Sequence, residues 1–430
     1  MAYVPVAFIL AGMAAYSVLA GADFGAGLWT LLTVGPFGGT PGQRQRVRDQ
    51  ARHAMGPVWE ANHVWLIFVL VVCWTAYPVA FGSITSTLAA PLLIAAIGII
   101  FRGAAYALRG VVDSSPAAEN LLGISSVLTP FALGTAVGAV AAGRVPVGNA
   151  AGNPVTSWLS PAPVLVGALA VVFSGYLAAV FLAADSERYA EVALAAAFRR
   201  RALLAGVLSG GLALAELLVM RGSGLNLTHG AALALVCVSG VAGLLTLALC
   251  FGSKFGLARL TAALAVAAVV VGWAAAQAPR FLPGLTVTQA AAGNSTLVAL
   301  VIAVACGAVV LVPSLVLLFT LFLRGRLDTP GSHGIEEVAP TGEADSEADA
   351  PALASPSMAA PARAAGDRGP APGSVQRGWA RWGTAAVLGL VAGAGLLVFT
   401  DASWTHVVGV AGLVLCAVSV FSLTAAPLDR

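Results

Sequence analysis

Apolar residues run along this chain in long unbroken stretches, unlike the alternation of half-buried strands or the one-sided stripe of a soluble helix. A helix rises ~1.5 Å per residue and the hydrocarbon layer of a bilayer is ~30 Å thick, so about 20 apolar residues make one crossing. Nine stretches of roughly that length occupy the first three quarters of the chain: residues 4–34, 56–80, 84–108, 120–142, 162–184, 202–220, 228–251, 257–278 and 296–323. Two more, 383–400 and 404–424, follow a polar interruption. The pattern predicts an all-α polytopic membrane protein in three parts. These are a nine-helix membrane domain over 1–326, a linker over 327–378 and a C-terminal transmembrane hairpin over 379–430. No Lys or Arg precedes the first run, which is too long for a cleaved signal, so it is expected to stay as the first span.

The linker changes composition to Ala, Pro, Gly, Ser and acids, with eight acids and three arginines between 327 and 378. It has almost nothing large and apolar to bury, which predicts a disordered acidic tether. Across the whole chain 59% of residues are hydrophobic and 10% charged, against roughly 25% charged in soluble domains. Soluble enzymes, outer-membrane barrels and nucleic-acid binders are thereby excluded. All five cysteines lie inside apolar runs without a CxxC pair, so they read as small buried hydrophobes.

Basic residues orient the spans, because Lys and Arg accumulate in cytoplasmic loops. With the N-terminus outside, thirteen of them fall in inner loops, among them Arg44, Arg46, Arg48, Arg52, Arg109, Arg188, Arg199, Arg200, Arg201, Lys254 and Arg259. Arg144, Arg221 and Arg280 fall in outer loops. The expected topology has the N-terminus outside and the linker cytoplasmic.

An ionisable group within a bilayer costs ~2.5 to 3.5 kcal/mol on insertion scales, so the few present here need an explanation. Asp23 lies in the first run, Glu60 and His63 in the second, and Arg102 in the third. All are expected toward the cytoplasmic side, and Glu60 and His63, three apart, share a helix face. Packed together, the first three helices would form a polar pocket opening inward, with Asp23 and Glu60 exchanging protons and Arg102 holding their charge. The alternative is a helix-packing ion pair of Asp23 with Arg102, and a Glu60 that merely caps a helix. For Glu60 the functional reading is favoured, because Trp59, Asn62, His63 and Trp65 crowd around it. Glu216, close to Arg221, and Asp185 read as interfacial charges. No two histidines are spaced on one helix as a haem or metal site would need, so no cofactor is expected on this chain alone.

Several segments together resemble subunit II of cytochrome bd quinol oxidase: "GADFGAGLW" (21–29), the basic "RQRVRDQARHA" (44–54), "MGPVWEANHVWLI" (55–67), "AYP" (76–78), "FRGAAYALR" (101–109), "GWAAAQAPRFLPGLTV" (272–287) and "LVPSLVLLFTLF" (311–322). The resemblance covers about residues 4–326. It implies two four-helix bundles plus a peripheral helix, with the C-terminal hairpin as an addition. It also implies a partner subunit I carrying haems b558, b595 and d, a complex in the bacterial cell membrane that reduces O2 to water with quinol electrons, and protons drawn from the cytoplasm. A structural quinone and a small single-helix subunit belong to the same expectation.

By position, Asp23, Glu60 and Arg102 match acids and an arginine of the family's first three helices. Trp59, Asn62, Trp65, Arg109, Trp273 and Gln277 fall within the matching motifs. Two positions depart from the pattern: Ala107 stands where members often carry an acid, and His63 where they often carry Gln or Glu, so His63 is the candidate replacement. Two rival functions share the same residues. One is a proton-coupled transporter, suggested by membrane carboxylates and faint echoes between "AAYSVLAGADFG" and "SGYLAAVFLAAD". The other is a purely structural membrane scaffold.

Overall fold

The computed structural model describes residues 1–32, 41–55, 59–107, 116–220 and 230–323. The expected linker, the C-terminal hairpin and Arg109 lie outside the described residues. In chain order the helices are α1 (Val4–Leu32), α2 (Pro41–Met55), α3 (Trp59–Ala76), α4 (Pro78–Thr87), α5 (Ala89–Ala107), α6 (Pro116–Ala141), α7 (Pro161–Arg188), α8 (Val192–Val219), α9 (Gly230–Phe251), α10 (Phe255–Gln277), α11 (Val287–Ala290) and α12 (Asn294–Leu323). A short hairpin, β1 (Arg280–Leu282) with β2 (Leu285–Thr286), joins α10 to α11. Eight of these helices are long and apolar enough to cross a membrane, and α3 contributes a shorter apolar helix over Asn62–Ala76.

Where the second and third runs were expected to be separated by a turn near 81–83, the chain is helical: α4 runs straight through, and the interruptions fall at Tyr77 and Leu88. The cause is Pro78 at the first turn of α4. Proline has no N–H and restricts the residue before it, so Tyr77 leaves the helical region with φ −137° and ψ 60°. Gly82, Ser83 and Ser86 look like turn residues, but their role is docking. Gly148 and Ala150 donate their backbone N–H groups to the hydroxyls of Ser83 and Ser86 at 2.9 and 2.8 Å, fixing the α6–α7 loop to α4. The expected start of the sixth run at 202 is also late. Helix α8 begins at Val192, so Arg199, Arg200 and Arg201 are helical rather than loop residues. The basic stretch 44–54 lies within a helix of its own, α2.

Two helices organise the packing. Helix α1 touches α2, α3, α6, α7 and α10, while α7 touches α1, α6, α8 and α10; α12 lies against α3. Small residues permit this closeness, as is usual where helices pack in lipid. A Cβ on Gly25 would stand 1.8 Å from the Ser174 carbonyl oxygen, so α1 and α7 meet backbone to backbone. Between α6 and α7, a Cβ on Gly134 would lie 2.8 Å from the Gly167 Cα. The Trp29 indole donates to the Gly175 carbonyl at 2.8 Å across the α1–α7 seam.

Two apolar clusters result. One joins α1, α2, α7, α8, α9 and α10 through Ala26, Val47, Ala51, Leu177, Leu182, Phe198, Cys250 and Phe255. The other gathers Tyr77, Leu88, Val145, Leu282, Val287 and Leu297 around the β-hairpin, where the Tyr77 hydroxyl donates to the Ala2 carbonyl at 2.5 Å. This second cluster sits at the end where α1 begins. Asp23 lies nineteen residues beyond Val4, ~28 Å along the helix, toward the other end.

Candidate functional site

Asp23 and Arg102 meet at the centre of a closed polar cluster. Neither has measurable exposed surface. The Arg102 Nε donates to Asp23 Oδ2 at 2.8 Å, and Nη2 lies 2.6 Å from Oδ1 and donates to the Asp23 backbone carbonyl at 2.6 Å. The opposite arm of the guanidinium, Nη1, donates to the Ser126 hydroxyl at 2.6 Å, and Ser126 in turn donates to the Leu122 carbonyl. Tyr106 completes the ring by donating its hydroxyl to Asp23 Oδ1 at 3.0 Å, and Arg102 Nη2 lies 3.2 Å from that hydroxyl. Phe24 and Tyr106 cover the guanidinium, with ring centroids 5.0 and 5.3 Å from its central carbon. The planar fork of arginine suits this divided task, since it can grip a carboxylate while donating elsewhere.

The glycines of "GADFGAG" explain why the cluster closes. A Cβ on Gly27 would stand 2.0 Å from the Ser126 hydroxyl and 3.1 Å from Arg102 Nη1, so only glycine leaves room for that bond. Asp23 lies on α1, Arg102 and Tyr106 on α5 and Ser126 on α6, so the cluster ties three helices together. The inward-opening pocket expected from the sequence is, at Asp23 and Arg102, a sealed ion pair. A buried charge is tolerated only when fully partnered, and sealing it maximises those partners.

Beside this pair, α3 meets α1. The Asn62 amide donates to the Leu19 carbonyl at 3.3 Å, and the His63 ring stands edge-on to the rings of Tyr16 and Phe24, each 6.0 Å away. His63 therefore reaches the apolar cover of the ion pair. Asn62 Oδ1 and the Tyr16 hydroxyl are shielded from solvent without a hydrogen-bond partner. Trp65 packs edge-on to Phe68 at 6.3 Å. Trp59 and Glu60 open α3, and their side chains lie outside the described residues.

The other motif residues sit elsewhere. On α10, Gln277 donates to the Phe281 carbonyl at 2.8 Å, holding the β-hairpin, while its Oε1 and the Trp273 indole N–H one turn earlier are shielded and unpartnered. Asp185, near the end of α7, makes a partly exposed pair with Arg259 at 2.5 Å, and Arg259 also donates to the Phe181 carbonyl at 2.6 Å. Glu216 has both oxygens shielded and unbonded among the described residues; its expected neighbour Arg221 lies outside them.

Sequence reasoning missed Tyr106, Ser126 and Tyr16. Tyr106 had a signal, because it follows Arg102 by four residues and so shares its helix face. Tyr16 likewise precedes Asp23 by two turns. Ser126, on a separate helix, had none. Among the described residues no group of three His, Cys, Asp or Glu side chains is placed to hold a metal ion.

Comparison with known proteins agrees with this architecture. Over 119 residues the chain is 29% identical to cytochrome bd ubiquinol oxidase subunit 2 of Bacillus subtilis (strain 168), an alignment that takes in 27% of this chain and spans about a third, 33%, of that relative. A chain in the solved structure of bd oxidase from Geobacillus thermodenitrificans shares the fold with a TM-score of 0.63, at 23% identity and with coverage of 75% of this chain and 98% of that one. The family model for cytochrome bd terminal oxidase subunit II matches residues 1–322, nearly the whole stretch that the helices, their seams and the Asp23–Arg102 cluster occupy. On that match, this multi-pass membrane chain belongs to the cytochrome bd terminal oxidase subunit II family.

Proposed function

We propose that this chain is the non-haem subunit of a quinol-oxidising, oxygen-reducing terminal oxidase. The observation that carries the reading is the family match over residues 1–322. On this reading a partner subunit I carries haems b558, b595 and d and performs the electron transfer. A structural quinone and a small single-helix subunit complete the proposed assembly. The N-terminus lies outside and residues 327–378 lie in the cytoplasm, as the distribution of basic residues indicates.

Within that assembly the membrane charges divide their labour. Both oxygens of Asp23 are occupied by donors, so Asp23 and Arg102 act as a fixed electrostatic post and helix tie rather than as a proton shuttle. Proton exchange falls to Glu60 and His63, one helical turn apart on α3. The unpartnered Tyr16 hydroxyl and Asn62 Oδ1 support a hydrated path there, because shielded polar atoms are normally satisfied by ordered water.

The test is purification of the assembled complex carrying Glu60→Gln, His63→Phe or Asp23→Asn. A visible haem d spectrum in the wild type establishes the oxidase; a colourless lone chain that moves a solute in liposomes establishes a transporter instead. Glu60→Gln is expected to keep the spectrum while quinol oxidase turnover and proton uptake fall together. Full turnover in assembled Glu60→Gln and His63→Phe complexes would reduce the chain to a scaffold.

A further inference from the structure

Half-buried Arg201, unlike Arg102 and Arg259, has no carboxylate partner among the described residues. Its guanidinium leans on the ring of Trp29 from α1, 5.6 Å from the centroid, and on the ring of Phe198 one turn earlier on α8, 5.2 Å away. Its Nη1 is shielded from solvent and has no acceptor. Among the described residues, the nearby acids are engaged with other groups or exposed. Asp185 holds Arg259, Glu191 faces Arg46 at 3.9 Å, Asp49 accepts from Gln45 and Glu187 stands exposed. Arg199, by contrast, finds the Ser253 hydroxyl at 3.3 Å, and Arg200 is exposed to solvent.

The surroundings favour an anion with an apolar tail. Arg201 immediately precedes the long apolar run of α8, so it lies where hydrocarbon gives way to headgroups. Trp29, in the last turn of α1, is the kind of residue that settles at that level. Helix α2 packs Val47 and Ala51 into the same apolar cluster as Phe198, and the amide nitrogen of Gln50 on that helix is likewise shielded without an acceptor. Arg46, Arg48, Arg188, Arg199, Arg200 and Lys254 all lie at the α2 end of the molecule or at the helix turns beside it. Basic recesses of this kind between membrane helices suit phospholipid headgroups.

We infer that Arg201, backed by Trp29 and Phe198, is a binding site for the headgroup phosphate of an anionic phospholipid whose acyl chains lie along the outer face of α8. That face is apolar and open, with Leu204, Val207 and Leu208 exposed one to two turns beyond Arg201. The phosphate accepts from the guanidinium, and the aromatic faces hold the guanidinium in place so that little side-chain freedom is lost on binding. The site is independent of the proton reading and of the oxidase assignment.

The experiment uses the full chain with whatever subunits accompany it, delipidated in a neutral detergent. Thermal unfolding is followed during titration with phosphatidylglycerol, phosphatidylcholine or inorganic phosphate at matched phosphate concentration. Phosphatidylglycerol is expected to raise the midpoint well above either control. Arg201→Gln should weaken its apparent affinity about ten- to a hundredfold, the cost of losing a charge-assisted hydrogen bond, while Arg200→Gln leaves it unchanged. Equal stabilisation by phosphatidylcholine means a general lipid requirement, and equal stabilisation by inorganic phosphate means a free-anion site; either overturns the inference, as does an Arg201→Gln protein that responds like the wild type. Should Arg201→Gln fail to accumulate, native mass spectrometry of the wild type decides: retained phosphatidylglycerol that phosphatidylcholine does not displace supports the site, and none retained overturns it.

Discussion

Replacing Asp23 by Asn changes one oxygen to an amide and removes one charge, yet it should be strongly destabilising. The carboxylate takes Arg102 Nε, Arg102 Nη2 and the Tyr106 hydroxyl, all within 3.0 Å and with no exposed surface on either charged residue. An amide can accept from one side only, so the guanidinium is left buried with its charge uncompensated. Breaking one partner of a buried pair costs ~3 to 5 kcal/mol, which is about two to three and a half decades in the folded-to-unfolded ratio. Tyr106→Phe deletes a neutral bridging hydroxyl while leaving the ion pair intact, so its cost is about 0.5 to 1.5 kcal/mol. Asp23→Leu with Arg102→Met removes both charges together and should cost several kcal/mol less than the sum of the two single changes. Unfolding free energies from mixed-micelle titration with a denaturing detergent measure all of these on one scale. If Asp23→Asn costs no more than Tyr106→Phe, or if the double variant costs the full sum, the pair is not the buried tie that the geometry describes.

Other substitutions separate tight seams from open ones. Gly25→Ala should abolish accumulation of folded protein, because its methyl would meet the Ser174 carbonyl at 1.8 Å, whereas Gly210→Ala, with nothing within 4 Å, should be neutral or slightly stabilising; yield of monodisperse protein after extraction checks both. Asp185→Asn should cost about 1 kcal/mol or less in the same micelle titration, since its pair with Arg259 is partly exposed and screened and Arg259 keeps the Phe181 carbonyl. Thr246→Val removes an interhelical hydroxyl bond to Thr261 of 2.7 Å and should cost roughly 0.6 kcal/mol, the usual worth of such bonds in membranes.

The nine apolar runs are legible in the chain because lipid leaves helices as almost the only solution for long apolar segments. Their ends are less legible. Hydropathy places the start of α8 at 202, where apolar residues begin, but hydrogen bonding carries the helix back to Val192 through three arginines that emerge from the bilayer while remaining helical. The break at Tyr77 is written in Pro78, yet the composition of Gly82 to Ser86 points to a turn; serine hydroxyls there face the α6–α7 loop, a contact between distant segments that no local pattern encodes. The Asp23–Arg102 pair could be suspected from cost alone. Its hydroxyl partners could not both be: Tyr106 follows from helical spacing, whereas Ser126 depends on how closely α6 approaches Gly27.

Four charged residues in the membrane domain show that the cost of a charge is met in different currencies of contact. Arg102 is held by a carboxylate, a carbonyl and two hydroxyls with no exposed surface. Arg259 relies on one carboxylate and one carbonyl near a helix end, where water supplies what is missing. Arg201 has aromatic faces but no anion among the described residues, and its shielded Nη1 is left without an acceptor. Glu216 has neither cation nor donor among the described residues. Saturation thus separates structure from exchange: a group with every valence filled holds helices together, and only a group with one left open can take up a proton or a ligand.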